Sequence, residues 1–177
     1  MGKMVTPKFL ELYSGKRVMI TGHTGFKGSW LAFLLNQIGS KVLGYALPPS
    51  DKNNHFDMLG LSDLIEHVEA DVRDEKKLMA TMKEFQPEIV FHLAAQALVR
   101  SSYDEPRTTF ETNVMGSINL LEAVRASGSV RSLVFITSDK CYENVEWIWG
   151  YRENDVLGGH DPYSASKGAA EIVFSSY

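Results

Sequence analysis

The amino-acid sequence predicts an α/β fold in which helices cover both faces of a doubly wound parallel sheet. Short apolar runs alternate along the chain with longer amphipathic segments, and no internal repeat, low-complexity tract or linker interrupts them. Runs that are apolar on both faces are typical of parallel strands buried between helices. Right-handed crossovers between such strands then lead to a doubly wound sheet.

The predicted strands are β-branched or nearly all-apolar runs that end at glycine, proline or polar residues. They cover residues 18–21, 41–47, 65–72, 88–95 and 132–137. The second strand ends before Pro48 and Pro49, because a strand interior does not tolerate proline. The third strand alternates between apolar and polar residues, whereas the fourth is almost entirely apolar.

The predicted helices follow from apolar spacing and from capping residues. They cover residues 28–39, 75–85, 106–127 and the segment that begins at 162, with a loop and short helix over 50–60 and an aromatic-rich loop over 138–160. Gly39 is placed to end the first helix, and Gly128 follows the third. Asp74 can cap the second helix, and Asp161 followed by Pro162 is typical of the start of the last one.

Composition excludes several classes of protein. With 177 residues, 44% hydrophobic and 23% charged, the chain has the composition of an ordinary globular domain. A net charge of −4 argues against a general nucleic-acid binder, and no apolar run approaches the roughly 20 residues that cross a bilayer. The single cysteine, Cys141, cannot form an internal disulfide, which favours a reducing, cytoplasmic location. The histidines and this cysteine show no metal-ligand spacing, so no metal site is predicted.

A glycine-rich turn follows the first predicted strand. Its glycines fall in the pattern G-x-x-G-x-x-G, and a helix is predicted where they end. Glycine at these points permits a tight turn, the approach of a pyrophosphate to the backbone, and close packing of the helix against the strand. The helix N-terminus adds free N–H groups and partial positive charge. The predicted dinucleotide contacts are Gly22, His23, Thr24, Gly25, Phe26, Lys27 and Gly28.

Two alternatives to a dinucleotide site apply to this turn. A tight turn that binds no ligand uses the same glycines. A P-loop resembles the segment, but it requires lysine after the last glycine, and here Lys27 precedes Gly28, which disfavours ATP. The choice between NAD and NADP stays open at the second strand, because its tip carries no acid or arginine and Asp51 lies beyond two prolines.

A tyrosine and a lysine, Tyr163 and Lys167, lie four residues apart at the start of the last predicted helix and therefore share one face. A free tyrosine, with a pKa of about 10, is a poor base at neutral pH, but a nearby cation favours its phenolate. The pair indicates a proton-transfer site, although two uncoupled polar residues would give the same short pattern.

Several motifs, taken in order, resemble those of the extended short-chain dehydrogenase/reductase family, whose fold is of the Rossmann type. They are the glycine-rich turn, HLAA after the fourth strand, Asn113 in the long helix, Thr-Ser-Asp after the fifth strand, and Tyr-x-x-x-Lys. The resemblance extends from Lys16 onward. The segments TGHTGFKGSW, TSDKCYEN and YRENDVLGGHDPYSASKGAAE are similar to those of the nucleotide-sugar 4,6-dehydratases within that family.

Enzymes of this kind oxidise a sugar at C4, eliminate water across C5 and C6, and return the hydride to C6. The resemblance implies NAD as the recycled cofactor, Tyr163 as the base at the C4 hydroxyl and Lys167 as its cationic partner. It also implies that Ser138 bonds the C4 oxygen and that Asp139 protonates the departing C6 hydroxyl. Lys140 stands where glutamate is usual, either as a neutral base at C5 or as a charged residue that orients Asp139 or a water.

This lysine is expected in the branch of the family that acts on CDP-glucose, so the resemblance implies CDP-glucose as the substrate and a role in deoxysugar synthesis. It also implies a homodimer formed through the long helix and the last helix. Two residues near the implied cofactor site have another possible role. Asp71 can instead pair with Arg73, and His92 can be a core histidine whose ring nitrogens are hydrogen-bonded within the protein. The further implied cofactor contacts are Asp71, Val72, Leu93, Ala94, Ala95, Gln96, Asn113, Tyr163 and Lys167.

Two rival functions share parts of this pattern. A nucleotide-sugar 4-epimerase has the same fold, glycine-rich turn and Tyr–Lys pair, but needs no acid aimed at C6. A non-enzymatic dinucleotide sensor usually lacks the Tyr–Lys pair.

The resemblance also divides the chain into an N-terminal extension, residues 1–15, and a dinucleotide-binding domain, residues 16–177. The chain stops inside a helical pattern. We therefore expect it to be truncated before the substrate-binding lobe, and we expect these residues alone not to dehydrate a sugar nucleotide.

Overall fold

The structure, a computed structural model, describes residues 8–177 and contains one parallel sheet with the strand order β3-β2-β1-β4-β5. The strands are β1 (Arg17–Thr21), β2 (Lys41–Ala46), β3 (Glu66–Glu69), β4 (Ile89–His92) and β5 (Ser132–Phe135). Every pairing between neighbours is parallel. The chain winds outward from β1 in one direction and then, from β4, in the other, so the predicted doubly wound sheet is confirmed.

The helices lie between these strands and after them. They are α1 (Phe26–Gln37), α2 (His55–Met58), α3 (Leu61–Leu64), α4 (Glu75–Phe85), α5 (Val99–Asp104), α6 (Pro106–Phe110), α7 (Gly116–Ser127) and α8 (Pro162–Ser176). Short 3₁₀ helices cover Lys8–Tyr13 and Asp139–Cys141, and a π-helical turn, Glu111–Met115, joins α6 to α7. Of the predicted N-terminal extension, residues 1–7 lie outside the described residues. No described helix has the length and apolar character needed to span a membrane.

The central strands β1 and β2 are buried on both faces, as their apolar residues predict, whereas the edge strands β3 and β5 are largely exposed or half-buried. In β1, Met19 belongs to one apolar cluster, while Val18 and Ile20 belong to the other. The first cluster packs against α4 and α7, and the second packs against α1, α2 and α3. Alternate side chains of a strand point to opposite faces, so a strand covered by helices on both sides must be apolar throughout.

Capping residues set the ends of several helices where the sequence predicts them. Gly39 has φ +87°, and it and Ser40 donate backbone hydrogen bonds to Asn36 and Leu35, which is the Schellman arrangement. Gly128 ends α7 with φ +65°.

The strands are shorter at their carboxyl ends than predicted. The third ends at Glu69 rather than at residue 72, the fourth at His92 rather than 95, and the fifth at Phe135 rather than 137. After β4, the N–H of Ala94 turns to the Thr21 hydroxyl, at 3.2 Å, instead of to a strand. Apolar composition predicts burial, but it does not show where the backbone leaves the sheet.

The long predicted helix, residues 106–127, is interrupted by the π-helical turn, and the separate helix α5 precedes it. The turn contains Asn113, whose amide is buried and bonded to the backbone of Gln96 and to Ser166. An extra residue in one helical turn is a known device for directing a side chain at a functional site. These contacts join residues that are far apart in the sequence, and apolar spacing does not reveal them.

The N-cap of α8 is the basis of a stability prediction. Asp161 accepts hydrogen bonds from the N–H of Ser164, at 2.9 Å, and from its hydroxyl, at 2.6 Å. Replacing Asp161 with Ala should lower the free energy of unfolding by about 1 kcal/mol, the usual value of such a cap. Asp161→Asn keeps an acceptor oxygen and should stay close to the wild type. Urea unfolding measures both, and an unchanged midpoint in Asp161→Ala would contradict the assignment.

Candidate functional site

A cleft of about 490 Å³ lies where the winding of the sheet reverses, between the carboxyl ends of β1 and β4. Diverging loops leave an open crevice at this point in a doubly wound sheet, and ligands usually bind there. The walls come from the glycine-rich turn, the ends of β2 and β3, the loop after β4, the end of β5 and the start of α8.

The glycine-rich turn has no room for a side chain at two of its glycines, Gly22 and Gly28, while Thr24, Phe26 and Lys27 line the cleft. Gly22 has φ +76°, and a Cβ built on it would lie 2.7 Å from the amide nitrogen of Ala94. A Cβ on Gly28 would collide with the carbonyl oxygen of Gly22. Gly25 caps α1 without a side-chain hydrogen bond, which leaves the first N–H groups of the helix open at the cleft. This surface fits a phosphate group, which needs such donors and close approach.

His23 lies in this turn, but its ring points into the core rather than into the cleft. The ring is fully buried, with its centroid 5.3 Å from that of Phe56 and 5.4 Å from that of His67. Neither ring nitrogen has a hydrogen-bond partner among the described residues. Gly44 makes room for the ring, since any Cβ there would clash with it. Burial, reinforced by His67, lowers the pKa of His23 to about 4, so the imidazole is neutral.

Asp71 is on the cleft wall, but its carboxylate is already engaged. It accepts hydrogen bonds from the backbone N–H and guanidinium of Arg73, at 2.6–2.9 Å. Burial alone would raise the pKa of Asp71, but the bonds from Arg73 outweigh it and the pKa is lowered. Asp71 therefore pairs with Arg73, which is the alternative to a cofactor contact that the sequence allows. Val72 also lines the cleft beside it.

The loop after β4 supplies three of its four predicted residues to the cleft: Leu93, Ala94 and Ala95 line it. The backbone of Gln96 instead binds Asn113, which accepts from its N–H at 2.8 Å and donates to its carbonyl at 3.0 Å. The same Asn113 amide donates to Ser166 at 2.8 Å. Gln96 and Asn113 therefore join the loop to α8 behind the cleft instead of lining it.

His92, at the end of β4, belongs to a buried chain of hydrogen bonds. Its Nδ1 lies 2.6 Å from the Thr21 hydroxyl and its Nε2 lies 3.3 Å from the Ser117 hydroxyl. Ser117 donates to the carbonyl of Asn113, so it is free to accept from Nε2. These directions assign a neutral His92 with its proton on Nε2. Burial, with a contribution from Lys167, lowers its pKa to about 3. His92 is thus a satisfied core histidine.

The tyrosine–lysine pair lies in the cleft. Both residues line it, and the Nζ of Lys167 lies 6.0 Å from the centre of the Tyr163 ring. Lys167 is buried, and burial lowers its pKa to about 8, against the opposing effects of Cys141 and Glu171. Tyr163 and Lys167 therefore share one face of α8, as predicted, and the Lys167 ammonium lies in the same cleft as the glycine-rich turn.

Ser138 caps the 3₁₀ helix that contains Asp139 and Lys140, separated by two residues from the end of β5, and none of the three lines the cleft. The hydroxyl of Ser138 donates to Asp139 at 3.0 Å and accepts from the N–H of Lys140 at 3.2 Å. The side chains of Asp139 and Lys140 are 80% and 57% exposed, with 3.6 Å between ammonium and carboxylate. This contact favours the interpretation in which Lys140 orients Asp139.

Some cleft residues were not predicted from the sequence. Thr137 and Ile136, at the end of β5, line the cleft, as do Ala97 and Thr112. The position of Thr137 immediately before Ser138 could have indicated it, because the carboxyl ends of parallel strands meet at one edge.

The fold and the site together define a protein of the short-chain dehydrogenase/reductase class. A glycine-rich turn after β1 and a Tyr-x-x-x-Lys pair on α8 face one crevice of a doubly wound sheet. Within this class, residues 19–177 match the model of the family described as GDP-mannose 4,6 dehydratase, and the chain belongs to that family.

Two curated relatives and one solved structure show how similar the chain is to characterised members. It is 54% identical to CDP-glucose 4,6-dehydratase of Salmonella typhimurium, over 94% of this chain and 46% of that protein. It is 34% identical to UDP-glucose 4-epimerase of Mycolicibacterium smegmatis, over 91% of this chain and 51% of that protein. The structure of Thermus thermophilus UDP-glucose 4-epimerase complexed with NAD superposes with a TM-score of 0.78 and is 32% identical in sequence. The match covers 91% of this chain and 50% of the epimerase chain. The chain thus spans about half the length of the relatives it matches.

The buried, unpartnered ring of His23 predicts a pH-dependent stability. The unfolded chain binds a proton at this residue below about pH 6.5, whereas the folded state does so only near pH 4. Stability should therefore fall as the pH falls through this window, by about 2 kcal/mol per such histidine between pH 7 and pH 5. His23→Phe should remove that increment. Urea unfolding at both pH values measures it, and an unchanged difference would show that His23 is not held neutral in the core.

Proposed function

We propose that the protein containing this chain converts CDP-glucose to CDP-4-keto-6-deoxyglucose and water, with NAD bound and recycled. The observation that carries the proposal is the cleft, in which Tyr163 and Lys167 share one space with the glycine-rich turn. The 54% identity to a CDP-glucose 4,6-dehydratase, higher than the 34% to an epimerase, supports dehydration over epimerisation. The product would serve as a precursor in deoxysugar synthesis.

The residues present fit NAD. The backbone N–H groups that open at Gly25 would hold the pyrophosphate. Asp71 and Val72 would face the adenosine, and the loop of Leu93, Ala94 and Ala95 would line the nicotinamide side. NAD is proposed over NADP because the β2 end of the cleft, formed by Ala46 and Leu47, is apolar and provides no charged group for a further phosphate. When bound, NAD would supply hydride transfer, holding the hydride taken from C4 until it is returned to C6.

Tyr163 is the proposed base at the C4 hydroxyl. A phenol serves as a base near neutral pH when a cation stabilises its phenolate, and Lys167 is that cation. Its ammonium is buried, and charges interact more strongly in a medium of low dielectric constant than in water. A ketone formed at C4 makes the C5 proton acidic, which explains why oxidation precedes elimination.

Asp139 is the proposed acid for the departing C6 hydroxyl, and Ser138 the proposed partner of the C4 oxygen. Lys140, 3.6 Å from the carboxylate, is proposed to orient Asp139 rather than to remove the C5 proton. Ser138 and Asp139 directly follow Thr137, which lines the cleft. A substrate that extends from the cleft past Thr137 would reach this turn.

A nucleotide-sugar 4-epimerase is the second candidate. The superposition on an epimerase structure, with a TM-score of 0.78, favours it. Such an enzyme would use Tyr163 and Lys167 in the same way but would have no use for an acid at C6.

We also propose that the protein is a cytoplasmic homodimer. Apolar side chains remain exposed on the predicted dimer helices, among them Ile172 on α8, at 59%, and Phe110 on α6, at 39%. Two copies that pack these helices together would cover such side chains.

The proposed reaction predicts formation of a 4-keto product by the full-length protein supplied with CDP-glucose and NAD. Tyr163→Phe should lower kcat by about 100-fold or more, the usual effect of losing a general base, while Tyr151→Phe, in the exposed loop, should not. The alkaline absorbance of the product measures this. Lys140→Met should lower turnover without abolishing it if Lys140 orients Asp139, and should abolish turnover if Lys140 is the base, while full turnover would remove Lys140 from the mechanism. Inversion at C4 alone would indicate an epimerase, and no turnover would favour a sensor.

The proposed cofactor site predicts that Gly28→Ala weakens NAD binding by about tenfold or more, because its Cβ would displace the carbonyl of Gly22. Gly150→Ala is the matched control, since a Cβ there meets nothing within 4 Å. Titration of protein fluorescence with NAD measures both affinities. Equal affinity of Gly28→Ala and the wild type would contradict the proposed role of the turn.

A further inference from the structure

The last helix meets the end of β5 through a row of contacts spaced by one helical turn. Phe174 stacks on Phe135 with 4.9 Å between ring centres and 23° between ring planes. One turn nearer the cleft, the hydroxyl of Thr137 donates a hydrogen bond to Oε1 of Glu171. Thr137 lines the cleft and directly precedes the proposed catalytic Ser138.

The row continues to the 3₁₀ turn that holds Asp139. Gly168 approaches the backbone there so closely that a Cβ built on it would lie 3.1 Å from the carbonyl oxygen of Cys141. That carbonyl also accepts from the N–H of Gly158 at 2.8 Å, which fixes the turn from its other side. Within this row, Glu171 provides the contact between two polar side chains.

Glu171 also lies one turn from Lys167, on the same face of α8. The ammonium of Lys167 is buried and makes no ion pair with a carboxylate of residues 8–177. A buried cation without a close partner is costly to keep charged. Burial lowers the pKa of Lys167 to about 8, and Cys141 and then Glu171 oppose that effect.

The other groups that face Lys167 do not provide a negative charge near neutral pH. Burial lowers the pKa of His92 to about 3, so that imidazole is neutral. Burial, followed by the charge of Glu171, raises the pKa of the Cys141 thiol, which keeps it protonated. Tyr163 is the group that Lys167 is proposed to serve. Glu171 is the carboxylate of α8, and it lies one helical turn from Lys167.

We infer that Glu171 is a positioning residue: its carboxylate ties the strand leading to Ser138 and Asp139 to the helix carrying Tyr163 and Lys167, and places a negative charge one helical turn from the Lys167 ammonium. The expected effect of Glu171 on turnover rests on the proposed function, but its contacts do not depend on the substrate. The two parts of the role separate by substitution. Glu171→Gln keeps an oxygen for the Thr137 hydroxyl and loses the charge, whereas Glu171→Ala loses both.

The test uses the full-length protein with isotopically labelled lysine, in which the Lys167 resonance is assigned from Lys167→Arg. Its titration by NMR needs neither substrate nor cofactor. Glu171→Gln should shift the titration of Lys167, and the alkaline limb of kcat against pH, to lower pH by about half a unit, with an unchanged melting temperature. Glu84→Gln removes an exposed carboxylate on α4 and should shift neither. Glu171→Ala should also lower kcat several-fold and reduce the melting temperature.

Two results would overturn the inference. Superimposable Lys167 titrations in Glu171→Gln and the wild type would refute the electrostatic role. Wild-type kcat and melting temperature in Glu171→Ala would refute the tie between β5 and α8. If the wild type does not turn over CDP-glucose but the Lys167 titration shifts as expected, the inference stands and the proposed function fails.

Discussion

The approach of one backbone to another at the glycine-rich turn is the constraint on which the site depends. Gly22 lies against the amide of Ala94, and Gly28 lies against the carbonyl of Gly22, with no space for a side chain at either contact. These contacts bring the backbones of the β1 end, the loop after β4 and the start of α1 into direct contact. The N-terminus of α1 is thereby held at the crevice, with its N–H groups directed where a phosphate could bind.

A buried polar network holds the opposite wall. From β1 through β4 to α7, hydrogen bonds connect Thr21, His92, Ser117 and the carbonyl of Asn113, and the Asn113 side chain extends the network to α8. Buried polar groups are costly when unpaired and specify one arrangement when every partner is present. His92 is fully satisfied, whereas His23, also buried, has no partner in the described residues.

Local patterns were enough to predict the strands, most helices and the capping residues, because glycine, proline and aspartate act on their immediate neighbours. Gly39 and Asp161 cap helices as predicted. The π-helical turn at Asn113 and the direction of the His23 ring were not predictable, because each depends on a partner far away in the sequence. The tie between Thr137 and Glu171 is of the same kind, since it joins residues 34 positions apart.

The two parts of the proposed catalytic set lie in different electrostatic environments. Lys167 is buried, so its charge acts on Tyr163 with little screening, whereas Asp139 and Lys140 are exposed and separated by 3.6 Å. An exposed ion pair contributes little because water screens both charges. Asp139 would become an effective acid only when something excludes water from it, since an enclosed site strengthens every charge within it. The binding of substrate would therefore have to complete the environment of Asp139, while that of Lys167 is already built.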